Sequence, residues 1–315
     1  MRRTAVLSGV LAASALVLVV IPSGTEAWAE GESPDPASRA LEPAGYGYGE
    51  VVLMVGLLAP GLVLVVLWER TQRELAPSRV LFTPWGAEDV LFAVATYFLG
   101  LLVALALLRV FRSADIPVWI PSMAAVLSGT LTCLVVLFLV NRRYGLLPVD
   151  VGLRFDRWGH DLVLAAGMLL FVLAIRVPLT GVLHCLYERA GERFVPQFVV
   201  QQMLQERSTW GLAAMVVMAL AVAPVWEETV FRGFVQPFLR RRLGGAGAMV
   251  ATAVLFSLIH DPLSKFLAVP VVVLPLALAL GYCYERTQRL AACILLHMLH
   301  NLVAVVAVLA HRGGA

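Results

Sequence analysis

Charge is scarce in this 315-residue chain: 14% of its residues are charged and 60% are hydrophobic, with a mean hydropathy of +0.85. A soluble domain carries about a quarter charged residues and roughly half apolar ones, so a water-soluble globule is excluded. Alternating segments of ~10 residues, the mark of a membrane β-barrel, are absent, and so are sustained heptads. Lysine is nearly missing, since Lys265 is the one lysine among 24 basic residues, a bias that fits a GC-rich bacterial genome. The four cysteines, Cys133, Cys185, Cys283 and Cys293, are scattered and mostly lie inside apolar runs. They make neither a CxxC metal pair nor a disulfide framework and read as small buried hydrophobes. No internal repeat is visible, which removes the inverted-repeat signature of many transporters. The net charge of +3 decides little in such a chain, and nucleic acid is not expected as a partner.

What is present is a series of apolar runs of about twenty residues, long enough as helices to cross ~30 Å of hydrocarbon. The expected fold is therefore all-α, a polytopic transmembrane helical bundle of about eight membrane helices plus an N-terminal signal peptide or signal-anchor helix. The N-terminus joins Arg2 and Arg3 to an apolar stretch from Ala5 to Ile21 and then Ala27-Trp28-Ala29. That is the pattern of a signal peptide cleaved after residue 29, or of an uncleaved first helix. Residues 30–49 read as a polar extracytoplasmic loop. The spans predicted beyond it are Val51–Trp68, Val90–Arg109, Trp119–Val140, Leu162–Leu183, Trp210–Phe238, Ala246–His260, Phe266–Tyr284 and Leu290–Ala310. The organisation expected is thus 1–29 signal or first helix, 30–49 loop, 50–207 N-terminal membrane helices and 208–310 a C-terminal core.

Arginines orient these spans. Arg70, Arg73 and Arg79, then Arg142, Arg143, Arg154 and Arg157, then Arg240 to Arg242, and finally Arg286 and Arg289 occupy alternate loops. The excess of basic residues in cytoplasmic loops places all of them in the cytoplasm. The expected location is a multi-pass protein of a bacterial cytoplasmic membrane, with the lipid bilayer as its surroundings.

Ionisable residues inside an apolar span cost several kcal/mol unless they are paired or face a cavity, so they mark function. Glu227 and Glu228 follow an apolar run from Met215 to Trp226. Glu228 and Arg232 stand at i and i+4, on one helix face, whereas Glu227 is rotated by roughly 100° and points elsewhere. Two carboxylates with one arginine leave one acid without a local partner, the situation of a general base or acid. A solvated helix end would explain the pair too, but apolar residues continue through Phe234, Val235, Phe238 and Leu239. His260 ends the run Phe256-Ser257-Leu258-Ile259-His260. His297 and Asn301 share a face in the last span at i and i+4, with His300 nearby. Arg176 sits within Leu162–Leu183, either paired with a site carboxylate or extended to the interface. Ser128, Thr130 and Thr132 read as small residues that let helices approach.

Depth links these groups. Arg240 to Arg242 and Gly244, Gly245 and Gly247 make a turn between antiparallel helices. Glu227 and His260 each lie 13 residues from it, ~20 Å from one membrane face, while His297 and Asn301 lie ~12 to 18 Å beyond Arg289. Four polar side chains at broadly similar depth imply a common site.

The three elements Glu227-Glu228-xxx-Arg232, Phe256-xxx-His260 and His297-xxx-Asn301 resemble the EExxxR, FxxxH and HxxxN motifs of the CPBP family. This family comprises type II CAAX prenyl proteases, bacteriocin-processing enzymes and their relatives, also called the Abi family. The resemblance covers roughly residues 208–310. It implies an intramembrane endopeptidase in which Glu227 activates water together with His260, His297 and Asn301 stabilise the oxyanion, and Glu228 and Arg232 form the supporting pair. It leaves open a metalloprotease reading, with zinc or another divalent metal held by glutamate and histidine. The partners implied are a peptide or membrane-protein substrate, with the oligomeric state undetermined. HExxH, GxSG and GxGD motifs are missing, which sets aside site-2-type, rhomboid and presenilin-like proteases. A non-catalytic immunity or partner-binding member and a transporter with buried charges remain as alternatives. The cavity is expected to open towards the arginine-rich side, with His260 the member most prone to lie at the outer edge.

Overall fold

The computed structural model describes residues 48–72, 83–110, 117, 119–192, 197–260 and 267–314. The expected signal segment and nearly all of the polar loop after it lie outside the described residues. The chain divides into two compact units, Met1–Val51 and Val52–Ala315. The first described helix begins in the former, and everything else described belongs to the latter.

The described residues form helices and no strand. In chain order they are α1 (Tyr48–Gln72), α2 (Ala87–Val110), α3 (Ile120–Tyr144), a 3₁₀ turn over Pro148–Val151, α4 (Trp158–Arg189), α5 (Phe198–Gln205), α6 (Thr209–Val217), α7 (Ala223–Val230), α8 (Gln236–His260), α9 (Ala268–Thr287) and α10 (Leu290–Gly314). The predicted spans fall on these helices, Trp210–Phe238 running over α6, α7 and the start of α8. Among the described residues, six stretches are long and apolar enough to cross a membrane, one of them the 52 residues Thr209–His260. The protein is an all-α polytopic helical bundle.

Local chemistry sets the ends of these elements. In α3, Pro121 occupies the first turn, where its missing N–H is no loss, and the helix stops at Gly145 (φ 67°), whose N–H bonds to the Asn141 carbonyl. Ser208 caps α6 by accepting from the Gly211 N–H. The stretch from α6 to α8 is continuous but interrupted by π turns over Met218–Val222 and Phe231–Val235. Within α8 the helix breaks at Gly244 (φ 69°, ψ 175°), a backbone region that essentially only glycine occupies. The chain doubles back there: Phe231 and Phe256, thirteen and twelve residues to either side, stack edge to face with centroids 5.2 Å apart. The 52-residue stretch therefore supplies two legs, which corresponds to the predicted pair Trp210–Phe238 and Ala246–His260.

Arg143, Arg154, Arg241, Arg286 and Arg289 gather at one end of the bundle. Arg289 bonds to Asp161 (3.1 Å) and Asp156 (2.8 Å) and reaches the Arg154 carbonyl. Arg286 pairs with Glu69, Arg143 with Asp89, and Arg241 donates to the Thr83 and Trp85 carbonyls. Beneath them Trp85, Val136, Val140, Val151, Phe234 and Phe238 form a packed apolar layer. At the opposite end, Met203, Met215, Val305 and Val308 pack together, bringing α5 and α6 against the end of α10. Between the two lies the main core, from Leu164 and Trp226 to Cys293 and Leu296.

Candidate active site

A polar ladder runs along one face of α7 and α8. Glu228, Arg232, Gln236 and Arg240 recur every four residues, so their side chains stack on one helical face. The first three are fully buried. Arg232 donates to Glu228 Oε1 (3.2 Å) and to the Ala277 carbonyl (3.2 Å), and its guanidinium lies 4.2 Å from the centre of the Phe256 ring. Gln236 donates to the Gly281 carbonyl (3.1 Å) and to Glu285 (3.0 Å), and Arg240 closes on the same Glu285 at 2.9 Å. The receiving positions, Ala277, Gly281 and Glu285, have the same four-residue period on α9. The ladder thus fastens the EE segment to α9, and a buried charge pair with its hydrogen bonds met is a rigid anchor.

Glu228 also reaches α10. Its Oε1 accepts from His297 Nδ1 at 2.8 Å, which fixes the ring and turns Nε2 the other way, a fixed-tautomer arrangement. That Nε2 lies 3.9 Å from Glu227 Oε2. His260, at the end of α8, donates Nδ1–H to the Phe256 carbonyl (2.7 Å) and points its Nε2 at the same Glu227 oxygen, 3.8 Å away. Glu227 Oε2 is buried and hydrogen-bonded to no protein atom. Both separations exceed a direct hydrogen bond but suit a bridging water.

A second chain of bonds holds Asn301. Arg176 of α4 donates to His300 Nε2, His300 Nδ1 faces Asn301 Oδ1 at 3.3 Å, and Asn301 Nδ2 donates to the Ala219 carbonyl at 2.8 Å. Ala219 belongs to the first π turn, a distortion that often marks functional positions. One amide hydrogen of Asn301 is thereby spent, and the other is available to the cavity.

That cavity, of about 320 Å³, is lined by Glu227, His260, His297, His300, Asn301 and Arg176, with Tyr97, Trp226 and a group of methionines including Met123, Met203, Met215 and Met218. Trp226 stacks on Tyr97 (centroids 5.9 Å) and lies so close to α3 that a Cβ at Gly129 would stand 2.3 Å from its ring. Small residues let helices meet elsewhere as well: a Cβ at Gly100 would lie 3.2 Å from Ser128 Oγ. The opening differs from expectation. The lining comes from the start of α3, α5, α6 and the second half of α10, all at the end away from the arginines, while the arginine side is filled by the ladder and its apolar layer. The reason is the ladder itself, because its side chains occupy the space between α8 and α9 that a cytoplasmic entrance would need.

The structure therefore brings Glu227, Glu228, Arg232, His260, His297 and Asn301 into one cluster. His260 lies inside it rather than at the edge, because the turn at Gly244 returns α8 alongside α7. Arg176 pairs with His300 and not with a site carboxylate. Gln236 and Glu285 were not singled out from sequence, although the four-residue period from Glu228 to Arg240 signalled the first. Tyr97 carried no signal, since an aromatic in an apolar helix is ordinary. Among the described residues no group of three or more His, Cys, Asp or Glu side chains is arranged to hold a metal ion. Both Nδ1 atoms of the histidines facing Glu227 are engaged in hydrogen bonds, which turns both Nε2 atoms towards Glu227 Oε2, an orientation that such partners also impose on metal-bound histidines.

Residues 208–303 match the family model described as type II CAAX prenyl endopeptidase Rce1-like, in agreement with the resemblance carried by the three motifs. All six clustered residues lie within the matched segment. No curated protein and no solved structure matches the chain. The matched segment, 96 of the 315 residues, is thus similar to an endopeptidase domain, and the helices around it are long and apolar enough to cross a membrane.

Proposed function

We propose that this chain is an intramembrane endopeptidase that hydrolyses a peptide bond with water activated by Glu227 and His260. The observation that carries this reading is the position of Glu227 Oε2, buried without a protein donor and facing the Nε2 atoms of His260 and His297 at 3.8 and 3.9 Å. A water held between these atoms is polarised from two sides. Glu227 takes its proton as the oxygen attacks the carbonyl carbon, and the lone pair of His260 Nε2 orients the second hydrogen. Negative charge then develops on the carbonyl oxygen. We assign that oxygen to the free amide hydrogen of Asn301 and to the Nε2 side of His297, and groups held in place before the reaction cost no reorganisation when it occurs. Glu227 returns the proton to the departing amine. Glu228 and Arg232 touch no substrate in this scheme, and they position His297 and the EE segment.

The apolar, methionine-rich lining supports an unfolded, hydrophobic peptide segment as substrate, because flexible thioethers adapt to varied side chains. The test is cleavage of a peptide library by the purified protein in proteoliposomes. Wild type is expected to release products that Glu227→Ala and His260→Ala do not, and equal cleavage by all three would overturn the reading. Since the water is activated by side chains alone, cleavage is expected to persist after exhaustive chelation, and loss restored by added zinc would transfer the activation to a metal.

A further inference from the structure

We propose that Tyr97 is a further catalytic residue, whose hydroxyl donates a proton to the departing amine and takes the proton of Glu227 in its place. This role belongs to the endopeptidase reading of the site and rests on it.

Tyr97 lies in the membrane-spanning stretch Ala87–Ala104 of α2, ~15 Å along the helix from Ala87. Tyrosine in membrane helices gathers at the interfaces, where its hydroxyl is wet. At mid-membrane a phenol needs a hydrogen-bond partner or a polar cavity. Among the described residues the Tyr97 hydroxyl has no hydrogen-bond partner, and Glu227 is the one charged group with which it interacts electrostatically. The side chain opens on the cavity that holds Glu227, His260, His297 and Asn301. Helix α2 lies outside residues 208–303, so Tyr97 comes from a part of the chain that the family model does not cover.

The ring is held in place. It stacks on Trp226 with centroids 5.9 Å apart and planes 24° from parallel. Trp226 is itself wedged against α3 at Gly129 and precedes Glu227 in the chain, so phenol and carboxylate belong to one wall. The other charged or titratable groups at Glu227 are Glu228 and Arg232 beside it, His260 from the end of α8 and His297 from α10. Tyr97 interacts with none of these four, which sets its hydroxyl on the side of Glu227 away from the histidines.

A leaving group needs an acid on that side. Water attacks from between Glu227 Oε2 and His260 Nε2, and the carbonyl oxygen turns towards Asn301 and His297. The scissile nitrogen then takes another corner of the tetrahedral carbon, away from those groups and beside the phenol. An amine is expelled only as it gains a proton, because a bare nitrogen anion is too basic to leave. The Tyr97 O–H donates to the nitrogen lone pair as the C–N bond breaks, and the electrons of that bond stay with nitrogen. The carboxylic acid of Glu227 gives its proton to the phenolic oxygen in the same step, while the oxyanion re-forms the carbonyl. Tyr97 ends neutral, Glu227 ends as a carboxylate, and no further reactant is consumed.

An ester at the cleaved bond tests this, since an alkoxide leaves with far less help from an acid than an amine does. The best-cleaved library peptide is compared in proteoliposomes with the depsipeptide that carries oxygen in place of the scissile N–H. Tyr97→Phe keeps the ring and its stacking on Trp226. It is expected to lower kcat for the peptide by at least about tenfold with KM little changed, and to slow the ester much less. Asn301→Ala, which removes an oxyanion donor, should slow both substrates alike. Equal slowing of peptide and ester by Tyr97→Phe, with or without a lower unfolding midpoint, would overturn the proposal, because the hydroxyl would then be structural or an oxyanion donor. So would a Tyr97→Phe protein that cleaves the peptide as fast as wild type. Hydrolysis of both substrates that ignores Glu227→Gln would instead overturn the endopeptidase reading beneath it.

Discussion

Adjacent glutamates in this site have opposite duties, and substitution separates them. Glu227 is held by no protein donor, so Glu227→Gln removes the base without breaking a bond. Cleavage is expected to fall by at least about a hundredfold, with thermal unfolding in detergent unchanged. Glu228 anchors Arg232 and His297 in full burial. Glu228→Gln leaves the guanidinium uncompensated, and a loss of about 3 kcal/mol is expected, read as a lower midpoint together with lost activity. The distinction was partly legible from sequence. Helical periodicity put Glu228 and Arg232 on one face and Glu227 on another, because that relation is local. The partners that decide each role, His297 from α10 and the carbonyls of α9, belong to other helices. No spacing along one helix reveals them, and the same limit hid the pairing of Arg176 with His300.

At the scale of elements, the site depends on two glycines that never touch it chemically. Gly244 makes the turn that returns His260 to Glu227. A Cβ there meets no atom, so the cost of Gly244→Ala is backbone strain alone, about 1–3 kcal/mol, measurable as a lowered midpoint with activity retained at low temperature. Gly129 is the reverse case. Its backbone is ordinary helix, but a Cβ would collide with the Trp226 ring, which is fixed one residue before Glu227. Gly129→Leu is expected to displace Trp226 and to reduce turnover more than it reduces stability, comparing kcat with the unfolding midpoint. The arginines and glycines between residues 240 and 247 announced a turn in the sequence. The role of Gly129 was hidden because a glycine in an apolar helix gains meaning only from what packs on it, here a tryptophan ninety-seven residues away.

For the molecule as a whole, hydropathy and arginine placement made the bundle and the sharing of one end by the described arginines of the loops 142–157, 240–242 and 286–289 legible, since both follow from the cost of charge in hydrocarbon. The direction in which the cavity faces was misread, because depth along each helix was visible and the filling between helices was not. Labelling tests the orientation. With Cys185 replaced by Ser, a cysteine at Phe198 beside the cavity should react with a membrane-impermeant maleimide on intact cells. A cysteine at Gly145, at the arginine end, should react only after permeabilisation. The opposite pattern would invert the protein in the membrane.

The cavity and α5 share the end of the bundle that carries few arginines. If that end faces outward, the scissile segment reaches Glu227 only after crossing the membrane or while embedded in it from the far side. Cleavage would then be ordered in time, following export and never preceding it, so that the rate of cutting in a cell would follow the rate of delivery by the secretion machinery. Such a protease would report on completed export, and blocking translocation would silence it as fully as removing its glutamate.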